Sequence, residues 1–468
     1  MGFSLTHSRW LLLTLSLTSL LCQADNSAAQ LAYRNAVTPP PPDWNGPVFQ
    51  LSDAYPTTPP ATCDSQQCPW LGYPASLFQT TFGKDGVPQW DATWNSYIQS
   101  ILSYIREGQS DDLNNAQGFN TQVDGKTRWY SVPWMAYDPT SGREFIHGLT
   151  NERTAVLSDF HGSRRNLHGL GANPHTLVGA TDSQARFETW AVAYYNDVGA
   201  YSLGQAWDQQ GNPRFGDYQG VPAQSGMPFA TGTVVVKLLF SSASPKDVPY
   251  LHGSPQWQAD RHVEKDNQFY CERQPQPVHL VQMDVAVVNP QSPTRWVFGT
   301  FAYNGDLGGK NVWENLSPVG LQWGMDPWTF PAVPKSASIR ARQSVLNRDN
   351  LNVRAEHFGC EGRLAGPVDN KLSSCLSCHG GAYANKAGNS FFSGAFSPPI
   401  FGFDGLCEQY SQDNSNYFQT LTFPMQPAGG EYGQLLNLDT SLQLQIALQQ
   451  WSYFQRDKVP QACVDPSS

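Results

Sequence analysis

Two cysteines and a histidine stand together in the stretch Cys375-Leu376-Ser377-Cys378-His379, in the pattern C-x-x-C-H. This spacing is typical of the covalent attachment of a c-type haem. Each thiol adds across one vinyl group of the porphyrin, and the adjacent imidazole binds the iron. Two intervening residues allow one helical turn to present all three side chains to the same porphyrin edge. The motif therefore predicts one covalent haem c, held by Cys375 and Cys378, with His379 as an iron ligand.

Three other kinds of site also use paired cysteines. A zinc site is disfavoured because no second C-x-x-C and no H-x-x-x-H follow at zinc spacing. A thioredoxin-like redox pair should open a long helix, whereas Gly380-Gly381 comes directly after His379. A structural disulfide is the third alternative. The motif resembles that of c-type cytochromes, and this resemblance covers five residues.

The N-terminus predicts export. Arg9 precedes an apolar run from Trp10 to Leu21, and the small residues that end Cys22-Gln23-Ala24 suit cleavage by a signal peptidase. The run is too short to span a bilayer, and the mean hydropathy of −0.43 agrees with that. We expect a signal peptide over residues 1–24, a periplasmic or secreted location, and no stable membrane insertion.

The net charge indicates which kinds of binding partner to expect. Removal of residues 1–24 takes away one arginine and no acidic residue, which moves the formal net charge from −10 to −11. An acidic surface argues against nucleic acid and suits a basic redox partner protein. Charged residues make up only 15% of the chain while aromatic residues make up 12%, so there is ample material for a buried core.

Six further cysteines remain in the mature chain, which suits three disulfides in an oxidising compartment. Cys63 with Cys68 is the simplest pair because the loop between them is short, and Cys407 with Cys463 would hold the C-terminal tail. Fifteen pairings are possible by counting alone. The six are Cys63, Cys68, Cys271, Cys360, Cys407 and Cys463.

Hydrophobic periodicity predicts an α+β fold with a central antiparallel β-domain and a haem-bearing, partly helical C-terminal region. One helix is predicted from Trp90 to Ile105, ended by Gly108, because its apolar residues keep a helical stripe. Alternating and β-branched runs predict strands at 187–195, 233–240, 278–289 and 295–303. The predicted domains are a signal peptide at 1–24, a Pro-rich arm at 25–61, an N-terminal region of mixed loops and helix at 62–183, the β-domain at 184–345 and the haem region at 346–468.

A second resemblance involves the strand Gly232-Thr-Val-Val-Val-Lys237, followed by further strands and then C-x-x-C-H. This order is similar to that of the β-rich mono-haem cytochromes, which include cytochrome c′-beta and the hydroxylamine-oxidising enzymes whose haem is cross-linked to a lysine. The resemblance implies that Lys237 lies near the haem edge. An exposed strand lysine is the alternative.

The stretch after the motif contains a methionine between two prolines, in Leu421-Thr-Phe-Pro-Met425-Gln-Pro427. A terminal helix is predicted after it, with Asp439 as N-cap and an apolar stripe from Leu444 to Phe454. A methionine loop followed by a terminal helix resembles the class I cytochromes c, and this resemblance implies that Met425 is the sixth iron ligand. The alternatives are a packing role for Met425, and a histidine ligand such as His357, His147, His161, His168 or His175.

Three classes of function are compatible with these patterns, and the methionine loop with its terminal helix favours the first of them. The first is electron transfer through a six-coordinate haem. The second is a haem enzyme or binding protein with an open distal position, acting on a small nitrogen or oxygen species. The third is a ligand-binding β-module in which the haem is accessory. The sequence contains no P-loop, no dinucleotide fingerprint and no catalytic His–carboxylate pair that would name a substrate.

Overall fold

The architecture is taken from a computed structural model of the chain. It describes residues 32–33, 42–47, 51–61, 63–79, 88–113, 118–135, 145–146, 149–156, 160, 186–214, 228–265, 268–324, 343–348, 363–369, 374–380, 382–387, 390–392 and 435–456.

The predicted first helix is present as α1, Ala92–Arg106. The Asp91 carboxylate caps it by accepting hydrogen bonds from the backbone N–H groups of Thr93 and Trp94, at 2.8 and 3.1 Å. Its apolar stripe is buried, and the chain leaves the helix through Gly108, whose φ of 75° is left-handed. The periodicity of the sequence is thus confirmed for this element.

Three further α-helices form in the described part of the chain. They are α2 (Asp197–Ala206), α3 (Cys375–His379) and α4 (Leu442–Arg456). The terminal helix is confirmed, but Asp439 as its N-cap is wrong. Ser441 has that role, because its Oγ accepts from the backbone N–H of Leu444 at 3.3 Å. No described helix is both long enough and apolar enough to cross a membrane.

The strands of the described residues form three sheets. Short 3-10 turns connect some of them, at Pro69–Gly72, Ala75–Phe78, Pro249–Leu251, Gly305–Leu307 and Trp313–Asn315. The strands are β1 (Gln122–Val123), β2 (Lys126–Thr127), β3 (Trp129–Tyr130), β4 (Phe145–Ile146), β5 (Leu149–Val156), β6 (Arg186–Asn196), β7 (Val234–Ser241), β8 (Gln256–Lys265), β9 (Gln268–Val288), β10 (Trp296–Tyr303), β11 (Leu316–Gln322), β12 (Ser344–Leu346), β13 (Tyr383–Ala387), β14 (Ser390–Phe392) and β15 (Leu435–Asn437).

A ten-stranded sheet dominates the fold. Its main order is β12-β11-β10-β9-β7-β6-β5-β4, with β3 paired to β6 and β8 paired to β9. Every pair in it is antiparallel. A small sheet of order β14-β13-β15 follows α3 along the chain, and β1 pairs with β2. These helices and the large antiparallel sheet confirm the α+β class.

The four predicted strands correspond to β6, β7, β9 and β10. The sheet also includes β3, β4 and β5, which precede residue 184 in the chain. It therefore extends across the predicted boundary between residues 183 and 184, while the division into domains stays a prediction.

The large sheet is covered on both faces. One face packs against α1, where a Cβ at Gly299 would come within 3.1 Å of Ile98 Cδ1, so the glycine permits close contact between helix and sheet. The opposite face carries Ala286 and Phe298, which pack in one buried cluster with Leu444 of α4 and with the motif residue Leu376. Alternation along the strands thus places the motif and α1 on opposite sides of the sheet.

Cysteine placement agrees with the prediction where it is described. Cys63 and Cys68 form a disulfide, with Cα atoms 5.8 Å apart. The predicted Cys63–Cys68 pair is therefore confirmed. Cys360 and the predicted Cys407–Cys463 pair lie outside the described residues, as does the side chain of Cys271, which belongs to β9.

Candidate functional site

The C-x-x-C-H motif forms the short helix α3 and is anchored by backbone hydrogen bonds. The N–H of Cys375 donates to Leu364 O at 2.9 Å, and the N–H of Leu376 donates to Gln322 Oε1 of β11 at 3.1 Å. Leu376 is buried, Cys375 and His379 are half-buried, and Cys378 is exposed. Cys375, Cys378 and His379 follow the i, i+3, i+4 spacing that places side chains on one helical face.

The imidazole of His379 is oriented by the backbone. Its Nδ1 lies 2.7 Å from Thr440 O, just before α4. A carbonyl oxygen only accepts, so Nδ1 carries the proton and donates, and the lone pair of the neutral ring is on Nε2. The ring also packs against Phe298 of β10, with ring centroids 4.7 Å apart. This tautomer is the one in which Nε2 can bind a metal.

A cavity of about 300 Å³ lies beside the motif, lined by α3, by the sheet face opposite α1, and by α4. Both thiols and His379 line it. Its size falls at the lower end of the range of small-molecule and cofactor sites. Much of its wall is apolar, with Val235, Ala286, Trp296, Phe298 and Ile446 among the lining residues.

The cavity lining also contains a polar group formed by Lys237, Asp284, Thr300 and Asp369. Lys237 of β7 and Asp284 of β9 are direct partners across the strands. Thr300 Oγ1 donates to Asp284 Oδ1 at 2.8 Å. Gln282 Nε2 donates to both carboxylates, at 2.7 Å to Asp284 and 3.0 Å to Asp369. The result is a pair of acidic side chains joined by one amide, with a lysine opposite.

Burial raises the pKa of two residues in the cavity lining, Asp284 and Cys375. It raises the pKa of Asp284 to about 8, and the neighbouring charge of Asp369 adds to the increase. Lys237 and the hydrogen bonds from Thr300 and Gln282 act in the opposite direction. Burial likewise raises the pKa of the Cys375 thiol, with Asp369 and Asp284 contributing further. The raised pKa values favour the protonated forms of Asp284 and Cys375.

The raised pKa of Asp284 predicts a pH-dependent stability. The folded state holds a proton that the unfolded state releases near pH 4, the ordinary aspartate value. The free energy of unfolding should therefore fall as the pH rises from about 4 to about 8. We expect Asp284→Asn to remove much of this fall, because an amide does not titrate in this pH range. Its oxygen can still accept hydrogen bonds from Thr300 and Gln282, so the variant should fold. The thermal midpoint measured from pH 4 to pH 9 checks this.

Asp124→Asn, a change at an exposed position, is the matched control and should keep the pH dependence of the wild type. An Asp284→Asn protein whose midpoint still falls as steeply as that of the wild type would contradict the role given to Asp284.

Four residues singled out in the sequence lie together: Cys375, Cys378, His379 and Lys237 all line the cavity. Met425 lies outside the described residues, as do the five histidines considered as alternative ligands. Sequence reasoning missed Asp284, although a charged residue within the Val-rich run of β9 is a usable indication of a buried polar group. It also missed Asp369, for which the sequence offers no comparable pattern.

Within the residues that the structure describes, no group of three or more His, Cys, Asp or Glu side chains is arranged to hold a metal ion. Comparison with known proteins gives no match, whether to a protein-family model, a curated protein or a solved structure. Function is therefore inferred from the geometry of the cavity and its lining residues.

Proposed function

We propose that this chain is an exported c-type haem protein, with one haem carried by Cys375 and Cys378 and its iron bound by His379. One observation carries the proposal. The His379 Nδ1–H bonds to Thr440 O, which orients the ring with its lone pair on Nε2, and both thiols of the motif line the same cavity. A histidine that donates its second ring nitrogen to a carbonyl is the usual arrangement of a metal-binding imidazole.

The lining residues fit a haem in composition. The cavity offers two thiols for thioether bonds, one oriented imidazole, and an apolar wall that includes Trp296 and Phe298. Cys375 and Cys378 are not joined in a disulfide, so both sulfurs retain the chemistry that attachment needs. Haem c bound here would supply one-electron redox chemistry and a coordination position for small ligands.

The polar residues of the cavity lining favour action on a small nitrogen or oxygen species. Charged side chains inside a largely apolar cavity carry a desolvation cost, and such groups concentrate at functional sites. Asp284 lines the cavity, and in its protonated form its carboxyl can donate a hydrogen bond. Lys237 adds a second polar group to the cavity lining. The resemblance to the β-rich haem cytochromes implies a lysine near the haem edge.

Electron transfer with a redox partner protein is the second candidate. The terminal helix expected with that class is present as α4, and Leu442 and Ile446 of this helix line the cavity. In that class His379 and Met425 would together hold the haem iron, and the haem would supply one-electron redox chemistry.

Mass spectrometry of the exported protein tests the attachment of haem. After extraction with acidified acetone, the intact mass should exceed that of the processed polypeptide by one haem, because thioether bonds survive the extraction. The same chain made in a host without c-type haem maturation is the control and should show the polypeptide mass alone. A polypeptide mass from a maturation-competent host would contradict the proposal.

A further inference from the structure

The loop between β15 and α4 has an uncommon backbone. Asp439 and Thr440 both have positive φ values, 48° and 66°, although neither is a glycine. Such conformations are disfavoured for residues with a Cβ and persist where the surroundings hold them. Thr440 is also the residue whose carbonyl accepts from His379 Nδ1 at 2.7 Å. The disfavoured backbone thus lies at the contact that orients the imidazole.

A buried polar network holds this loop. The Asp439 side chain is only 3% exposed, and its Oδ2 accepts from the Phe229 N–H at 2.7 Å and from Arg295 Nη1 at 3.3 Å. Arg295 Nη2 also donates to Phe229 O at 2.6 Å. Arg295 stands just before β10, so the network ties the loop to the strand that carries Phe298. The residue immediately before Thr440 is thus bonded to the residue immediately before β10.

We infer that Asp439 and Arg295 are positioning residues for His379: through the loop they set the geometry of its Nδ1–H···O=C bond. This inference depends on the proposed haem site. A firm hydrogen bond from Nδ1–H makes Nε2 a stronger donor to iron and favours the ferric state. Loss of the network should loosen the bond, weaken the donor and raise the reduction potential.

The test uses the exported haem protein as its ferrous carbonyl complex, which is diamagnetic whichever group occupies the sixth position before carbon monoxide binds. Exchange of the His379 Nδ1–H with deuterium is followed by NMR, and the reduction potential is measured without carbon monoxide. In Asp439→Ala and Arg295→Ala we expect roughly tenfold faster exchange, the effect of losing one hydrogen bond of ordinary net strength. Their potentials should be higher than that of the wild type.

Conservative variants and a control separate positioning from general loosening. Arg295→Lys and Asp439→Asn each retain part of the contact, so their exchange rates and potentials should lie between those of the wild type and of the alanine variants. If the alanine variants do not fold, these two variants provide the test. Tyr250→Phe removes a buried hydrogen bond to Phe160 O, made at 2.9 Å far from the loop, and should change neither readout.

Unchanged exchange and potential in the Asp439 and Arg295 variants would overturn the inference, and so would equal effects in Tyr250→Phe. Intact mass separates this failure from that of the proposed function. If the protein carries no covalent haem, both the proposed function and this inference are wrong. If it carries haem but the Asp439 and Arg295 variants change neither the exchange of His379 Nδ1–H nor the potential, only the inference is wrong.

Discussion

Serine in place of both Cys375 and Cys378 is expected to leave the exported protein without covalently bound haem. A serine hydroxyl does not add to the vinyl groups under the conditions in which a thiol does, so no thioether can form. The haem-derived mass and the haem stain on a denaturing gel should both be lost. Because the effect removes the whole cofactor, it is the largest that a change at the site can produce.

The single variants refine this expectation. Cys375→Ser and Cys378→Ser should each retain one thioether bond and leave one vinyl group conjugated with the porphyrin. The pyridine haemochrome band should therefore lie at a longer wavelength than that of the wild type. A band identical to the wild type would mean that the altered cysteine takes no part in attachment.

The disulfide pair provides the matched control, since it also consists of two cysteines close in sequence. Cys63→Ser with Cys68→Ser should lower the free energy of unfolding by about 2 kcal/mol, the value for a short closed loop. Haem mass should stay as in the wild type. Retention of haem mass in the Cys375/Cys378 double variant would contradict the attachment site, and its loss in a folded disulfide variant would show that attachment needs more than the motif.

Local periodicity explains which elements are predictable from the sequence. The α1 helix keeps an apolar stripe and a defined stop at Gly108, and β7 is a β-branched run, so both follow from neighbouring residues alone. The strand β9 begins earlier than predicted. Its first half contains Pro275 and Pro277, and prolines do not fit a sequence pattern for a strand. Among the strands that the structure describes, that half pairs with β8 alone, and prolines are tolerated in strands that are paired along one edge.

The site depends on contacts that local patterns do not encode. His379 and Thr440 are 61 residues apart, and the group that meets the imidazole is a backbone carbonyl, which any residue type could supply. Asp439 resembles a helix cap in the sequence, but its carboxylate is engaged by Phe229 and Arg295 from distant elements. The motif itself is predictable because its chemistry needs particular residue types at a fixed spacing.

Met425→Ala and Lys237→Ala are expected to give opposite results in the two main classes of function. If the protein transfers electrons, His379 and the Met425 sulfur hold the iron, and the ferric spectrum has a thioether band in the far red. Met425→Ala should then make the iron high-spin and lower its reduction potential, because a soft neutral ligand that favours ferrous iron is lost. Lys237→Ala should leave the axial ligands, and hence the spin state, unchanged.

If the cavity instead keeps an open distal position, the wild-type iron is already five-coordinate and Met425→Ala changes little. Lys237→Ala should then shift the spectrum, because Lys237 lines the cavity beside the motif. Val235→Ala is the matched control: Val235 is two residues earlier in β7 and lines the same cavity without a charge, so its loss should not reproduce the shift. Optical spectra of the ferric and ferrous forms of all three variants decide between the classes. Should neither Met425→Ala nor Lys237→Ala alter them, both assignments are wrong and His357 becomes the next candidate for the sixth ligand.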